Sequence, residues 1–482
     1  MISDRDDEAI CVGERDDALA HWLLSEFGLW LLAAAVAAAA VVAARFEAPR
    51  ATRALGWTAF AAFALGAACW TFRDTYAYYF TQKEACLRIA YWGSYREHEM
   101  WKEIVAAFQR RYPDIPVKRE YITDRYEEKI QQLLLANDAP DVMLFQDEPL
   151  PRFVTSGKFL AVDDLCRTPG YEVDLDRDYW DTAVRSFQLG GRTYGIPIWG
   201  GDCLLIYNRD AFRTAGLPEP PGRWTTDEFL KTCQALTADA DGDGRLDRFG
   251  FDIPGWVYWL PFHYAFGAEY LDPTRTRWTL WGKQAEASYE FWQGLRYQFH
   301  VAPQRAELTE GGNVAFMTGR VAMFVSGPWA MPPLNEAHVD YDVADIPSGP
   351  GGHATRVTWD ALVLFAGSQK KDWAWKFIHF ATSLPAAEII AKFQRSVPAL
   401  KAGRKAFVEG NPRVHAQRFI DALAYARFQP ITRHWELMGR EIGSEVDLML
   451  DNRQSAAEAL RRLARNPHLA KCFEMPRDTT SP

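Results

Sequence analysis

No two of the seven cysteines, at positions 11, 69, 86, 166, 203, 233 and 472, sit at the spacing of a redox pair or a zinc site. The count is odd, so they cannot all pair within the chain, and scattered cysteines serve best as small buried hydrophobes. Ten histidines are spread without metal-ligand spacing. Positive charge is also short. Lys and Arg number 54 against 63 Asp and Glu, a net charge of -9, which withholds the basic footprint that nucleic-acid phosphates need. Nucleophile elbows, phosphate-binding loops and His-Glu-x-x-His helices are absent as well. Together these gaps set aside nucleic-acid binding, zinc chemistry and the common nucleophilic hydrolases.

What the chain does have is apolar mass. Hydrophobic residues make up 48% and charged ones 24% of 482 residues, enough for two or three compact units with large cores. Nineteen tryptophans stand out; such rings fill cores and also grip flat apolar ligand faces.

Two long apolar runs open the sequence. Trp22–Ala44 carries a single charge, Glu26, and Ala54–Phe72 carries none; a helix crossing hydrocarbon needs about 20 such residues. The short joining segment holds Arg45, Arg50 and Arg53, which places it on the cytoplasmic side by the positive-inside tendency. An acidic tail, residues 1–21, and everything beyond Phe72 then lie outside. The expectation is a transmembrane hairpin tethering an extracellular or periplasmic body. Three other readings stay open: a soluble Ala-rich bundle, a signal peptide in the second run, and a lipidated Cys69 after Leu65-Gly66-Ala67-Ala68.

From residue 87 onward, short apolar runs alternate with amphipathic stretches. Leu87–Trp92, Val117–Ile122 and Asp141–Phe145 read as strands. Glu97–Tyr112 and Tyr126–Ala136 between them read as helices, with inward residues spaced three and four apart. That alternation predicts an α/β fold with crossover helices, in which ligands meet the loops beyond the carboxyl ends of strands. Trp92, Tyr95, Gln146, Asp147 and Glu148 occupy such positions. The stretch Tyr194–Asn208 reads as two apolar runs joined by Gly200-Gly201-Asp202, a candidate bend or crossover with Trp199 and Asp202 beside it. Pro197 suits a strand edge or end. Thr225 and Glu228 form a predicted capping box ahead of the next helix. Asp239, Asp241, Asp243 and Asp247 imitate a calcium loop, but Gly250 stands where the bidentate glutamate belongs, so a solvated turn is the preferred reading.

Four motifs in order carry a family resemblance. They are Leu87–Gly93, Pro140-Asp141-Val142, then Tyr194–Asn208 with Ala215-Gly216-Leu217 and Trp224–Phe229, and finally Ala315–Met323 with Ser326-Gly327-Pro328-Trp329. Over roughly residues 87–450 the chain resembles the extracellular solute-binding proteins of carbohydrate ABC importers. The resemblance implies a two-lobed periplasmic-binding-protein fold of type II with two hinge crossings and an ABC permease as partner. Its ligand would be a carbohydrate, taken up by lobe closure without chemical change. Lobe one would span 87–198 with a return from about 361, and lobe two 203–357. Hinges are expected near Trp199–Asp202 and Thr358–Asp360, with 361–482 wrapping both lobes. The family's sugar-stacking tryptophan corresponds to Trp329. A sugar offers an apolar C–H face and a rim of hydroxyls, so rings and carboxylates or amides suit it. Trp92, Trp199, Trp256, Trp329 and Trp359, with Gln146, Asp147, Asp202 and Asp360, supply that mixture. Two other functions stay open, a membrane-anchored sensor or adhesion module and a glycoside hydrolase using Asp147 and Asp202. No cofactor is expected.

Overall fold

The computed structural model describes residues 86–252, 255–305, 307–308 and 312–476. The expected hairpin, Cys69 and the acidic tail lie outside the described residues. Among the described residues, no helix is long and apolar enough to cross a membrane.

The chain divides into two compact units. The described part of the smaller one comprises Cys86–Ile89 and Gln109–Glu120. It holds most of β1 (Leu87–Tyr91) and β2 (Val117–Tyr121). Leu87 N–H donates to the Pro116 carbonyl at 2.8 Å, and Arg88 Nε donates to Glu120 Oε1 at 2.6 Å.

The larger unit, Ala90–Phe108 with Tyr121 onward, contains both expected lobes. After β3 (Val142–Gln146) come a small hairpin, β4 (Gln188–Leu189) and β5 (Arg192–Thr193), then β6 (Ile196–Asp202) and β7 (Leu204–Asn208). The remaining strands are β8 (Met323–Ser326), β9 (Tyr341–Ala344), β10 (Thr355–Leu364), β11 (Val397–Pro398) and β12 (Ala426–Phe428). Strands β11, β6, β10 and β3 lie side by side in lobe one, with β12 parallel to the start of β10. Lobe two is built on an antiparallel sheet in the order β8-β7-β9.

Apolar periodicity explains how the helices seat. The Tyr95–Arg111 helix buries Met100, Trp101, Ile104, Val105 and Phe108 on one face. Phe108 meets Phe377 and Phe380 of the Lys371–Ala381 helix edge-on at 5.1 and 5.7 Å. In lobe two, Trp259 stacks between Phe262 and Trp292 at 4.7 and 4.8 Å. Met438, Ile442, Val446 and Met449 of the Trp435–Leu450 helix join that same core. The Thr225–Glu228 capping box forms as expected. The acidic turn folds on itself, with Asp239 accepting from Gly242 N–H and Gly244 N–H and Asp247 from Ala240 N–H. Oxygens of Asp239, Asp241 and Asp247 come within 4.8 Å of one another at the exposed tip.

Three findings refine the expected crossings. First, the glycine pair is not a bend between strands but the end of β6 itself, with Gly200 opposite Trp359 and Gly201 opposite Thr358. A Cβ on Gly200 would stand 2.4 Å from the Thr358 carbonyl oxygen, and one on Gly201 would stand 2.8 Å from the Pro328 ring. Close approach, rather than flexibility, demands glycine there. Pro197 sits inside β6 where β11 does not reach, since β11 pairs only with Trp199 and Gly200, so no ladder bond on that side is lost. Second, the return strand begins earlier than expected. Ala354 belongs to the lobe-two core while Asp360 already pairs with Gln146 and Trp199 of lobe one, placing the passage at residues 354–357 rather than 358–360. Third, the chain crosses again through β12, because helices 371–392 pack in lobe one and helix Trp435–Leu450 in lobe two.

Asp360 lies within this strand system. It is nearly sealed from solvent and accepts from Trp199 Nε1 at 2.7 Å. Burial pushes its carboxyl up to about 7, with Arg395 pulling it down and Asp147 and Glu97 pushing it further up.

Two stability outcomes follow from these packing facts. Gly200→Ala is expected to destabilise the fold by about 1–3 kcal/mol through overpacking. Gly443→Ala, in a helix with open space around the added methyl, is expected to stabilise it by about 0.5–1 kcal/mol; denaturant melts of both variants decide this, and equal effects would refute the close-approach argument. Asp360 titrates near 7 when folded and near 4 when unfolded, so between those values the folded state holds the extra proton. Its contribution is complete below about pH 4 and lost as pH rises through about 7. Asp360→Asn is expected to flatten the fall in stability over that interval by on the order of 4 kcal/mol; parallel pH profiles of wild type and variant would contradict it.

Candidate ligand site between the lobes

The carboxylate of Asp147, one residue beyond β3, is fully buried. Ser186 Oγ donates to it at 2.9 Å, Thr358 Oγ1 at 3.0 Å, Trp359 N–H at 3.2 Å and Gln429 Nε2 at 3.0 Å. Burial raises its carboxyl, and hydrogen bonds with Glu148, Ser186, Thr358 and the Trp359 N–H lower it. Its neighbour Glu148 is raised well above the carboxylate range, by burial first and then by the Asp147 charge, while Arg356 pulls it down. Arg356, also buried, donates from Nε to Cys203 Sγ at 3.1 Å and from Nη1 to Gln429 Oε1, and lies 5.3 Å over the Tyr258 ring. The network thus joins β3, β10, the β6–β7 passage and the β12 passage.

A cavity of about 440 Å³ opens between the lobes beyond the strand ends. Trp92, backed by Tyr126, supplies aromatic wall, and Gln131 and Gln146 supply amides; Phe145 borders the space, with its ring packed edge-on against Phe153 and Phe159. Arg125, Glu127 and Glu128 come from the start of the Tyr126–Leu135 helix, and Glu436 comes from lobe two. Trp92 leans on Tyr126 with centroids 4.9 Å apart, and Tyr126 is itself fixed by its hydroxyl on the Ala90 carbonyl at 3.1 Å. Arg152 of lobe one reaches across to Glu436, and its other nitrogen donates to Gln131 Oε1 at 2.6 Å. On another side Arg96 bridges to Glu336 at 2.8 Å, and Asn335 Nδ2 donates to Gln394 Oε1 at 3.1 Å. These contacts run between residues of the two lobes.

Of the residues expected at the site, Trp92 and Gln146 line this cavity. Glu148 and Asp147 stand beside it in the buried network, with Glu148 Oε2 lacking a hydrogen-bond partner among the described residues. Trp329 and Trp256 are half-buried on lobe two. The Trp329 indole folds over Gly327, where a Cβ would stand 2.3 Å away, and bonds to the Tyr258 hydroxyl. Trp256 packs against Trp435 at 5.4 Å and Tyr270 at 5.5 Å, at the lobe-two end that also carries Glu436. Trp199 and Trp359 do not reach the cavity. They are 1% and 0% exposed, Trp199 against Trp101 at 5.4 Å and Trp359 against Gly200; strand ends that read as cleft mouth are here covered by neighbouring strands. Asp360 and Asp202 are likewise internal. Neither oxygen of Asp202 has a hydrogen-bond partner among the described residues, and burial, with Asp345 and Asp421 nearby, raises it well above the usual range. Tyr95, 72% exposed, lies outside the cavity lining. With Asp147 and Asp202 both internal, that pair does not flank a space for a glycosidic bond.

Sequence reasoning missed Tyr126, Glu127, Gln131 and Glu436. The first three share a helix whose polar face is indistinguishable by pattern from a solvated one, and Glu436 lies some 290 residues from the strand end it faces. Trp435-Glu436 at the start of a late amphipathic helix was the one available signal.

Known proteins match this architecture. The profile of the bacterial extracellular solute-binding protein family covers residues 93–388, more than half of the chain. A putative binding protein of Brucella abortus is 27% identical over 70% of this chain and 81% of its own length. The maltotriose-binding protein of Pyrococcus abyssi is 22% identical over 63% of this chain and 65% of its own length. Among solved structures, an ABC substrate-binding protein of Listeria monocytogenes in complex with cycloalternan superposes with a TM-score of 0.73 at 21% identity, covering 80% of this chain and 99% of that one. A maltose-bound Thermotoga maritima protein superposes at 0.67, with 21% identity and 79% and 98% coverage. These likenesses establish the two-lobed α/β periplasmic-binding fold, and the chain belongs to the bacterial extracellular solute-binding protein family.

Proposed function

We propose that the protein captures a carbohydrate, an oligosaccharide in particular, between its lobes and hands it unaltered to an ABC permease. The observation that carries this reading is the interlobe cavity, where the half-buried Trp92, backed by Tyr126, adjoins the amides of Gln131 and Gln146. Rings cover the apolar face of a sugar, and amides both donate to and accept from its hydroxyls. Several relatives bind saccharides by name, among them maltotriose and cycloalternan binders. Trp329, Trp256 and Trp435 on lobe two extend the aromatic surface in this reading. Ligand selects the closed arrangement by touching both lobes, and the interlobe pairs Arg152–Glu436 and Arg96–Glu336 add a modest share, since exposed pairs contribute about 0–1 kcal/mol. The N-terminal apolar runs hold this body at the outer membrane face, where the permease meets it.

Isothermal titration against a panel of glycans tests the reading. At least one oligosaccharide is expected to bind, and Trp92→Ala is expected to weaken it tenfold or more, about 1.4 kcal/mol, with melting unchanged. Trp329→Ala is expected to do the same. No binding by any saccharide, or an unaltered affinity in Trp92→Ala, would overturn it, and steady release of reducing sugar by wild type would replace it with an enzyme.

A further inference from the structure

Trp92, the ring of the cavity wall, is carried by the short loop Trp92-Gly93-Ser94 between β1 and the Tyr95–Arg111 helix. That loop is fastened from outside. Tyr121 Oη donates to the Gly93 carbonyl at 2.8 Å, and the Ser94 N–H donates to Glu97 Oε2 at 2.6 Å. The Glu97 side chain lies directly over Gly93, where an added Cβ would stand 2.6 Å from its carboxyl carbon. Glu97 is 8% exposed, and its other oxygen is ion-paired with Arg395 Nε. A glutamate in the first turn of a helix commonly bonds back to the helix start, and that bond alone calls for no cation. Here a guanidinium is brought to it from the segment just ahead of β11. The anchor is itself held. Gln394, the preceding residue, accepts from Asn335 Nδ2 at 3.1 Å and donates to the Gly410 carbonyl, and Arg395 Nη1 donates to Ser396 Oγ at 3.1 Å.

We infer, on the carbohydrate reading above, that Glu97 locked by Arg395 is the positioning residue for Trp92, fixing its loop so that the indole stands ready at the cleft. Glu97 touches no ligand in this role; it acts through the backbone of Gly93 and Ser94. Glycine beside Trp92 leaves that backbone free to turn, and the carboxylate laid over it removes the freedom. Bonds from N–H and guanidinium to a carboxylate are charge-assisted, roughly twice as strong as neutral ones, and Glu97 makes one of each. A ring ordered before ligand arrives saves the entropy of ordering it on binding, so the pair adds to affinity from outside the site.

Calorimetric titration of the whole protein, with a saccharide that wild type binds, tests this in two backgrounds. Glu97→Ala is expected to weaken binding about threefold or more, the cost of ordering one free side chain. In a Trp92→Ala background the same substitution is expected to change nothing, because the ring it positions is gone. Arg395→Met leaves the bond from Ser94 in place; it is expected to show the same pattern at smaller size, and it carries the comparison where Glu97→Ala does not fold. Wild-type affinity in both single variants, or a loss of equal size with and without Trp92, as a merely structural role would give, overturns the assignment and leaves carbohydrate binding standing. Failure of wild type to bind any saccharide would instead remove the reading beneath it, and the assignment with it.

Discussion

A carboxylate sealed from water must be satisfied from within the protein, and Asp147 is satisfied by groups far apart in sequence. Ser186, Thr358, Trp359 and Gln429 all converge on it. Leaving such a buried group short of a hydrogen bond costs about 1–3 kcal/mol, so the arrangement acts as a rivet. What it fastens is the place where the chain passes between lobes. Thr358 and Trp359 belong to β10, Gln429 follows β12, and Arg356 links Gln429 to Cys203 at the β6–β7 junction. Every passage is thereby tied to the end of β3.

With that point fixed, the cavity follows from strand geometry. Residues at or just beyond strand ends either turn inward to the rivet, as Asp147 does, or outward to the cleft, as Trp92 and Gln146 do. Lobe two then presents its helix ends, with Trp435 and Glu436, to the opposite wall. The glycine pair of β6 makes this closeness possible, since β10 and Pro328 both press on it. A hinge built from tightly packed strands bends as a unit, which suits two discrete arrangements better than a continuum.

Much of the fold was legible because its signals are local. Period-3.6 apolar spacing marked the helix that buries Met100, Ile104 and Phe108, and Thr225 with Glu228 announced a cap that forms. The site was less legible because its decisive facts are not local. Trp199, Trp359 and Asp360 sit at positions that in isolation open to a cleft, yet each is covered by a strand more than 30 residues away in sequence. The reverse held for Glu127 and Gln131, which look like the solvated side of a helix until lobe two closes over them. The three residues of β12 were likewise too few to carry a pattern.

The central claim is that a saccharide held between two lobes draws them together. Small-angle scattering of the purified protein, recorded without ligand and then at saturation with a saccharide shown to bind, tests that claim most directly. The account predicts a smaller radius of gyration in the bound state, with the change absent when a non-binding sugar is added. Identical scattering curves with and without a bound saccharide would contradict it.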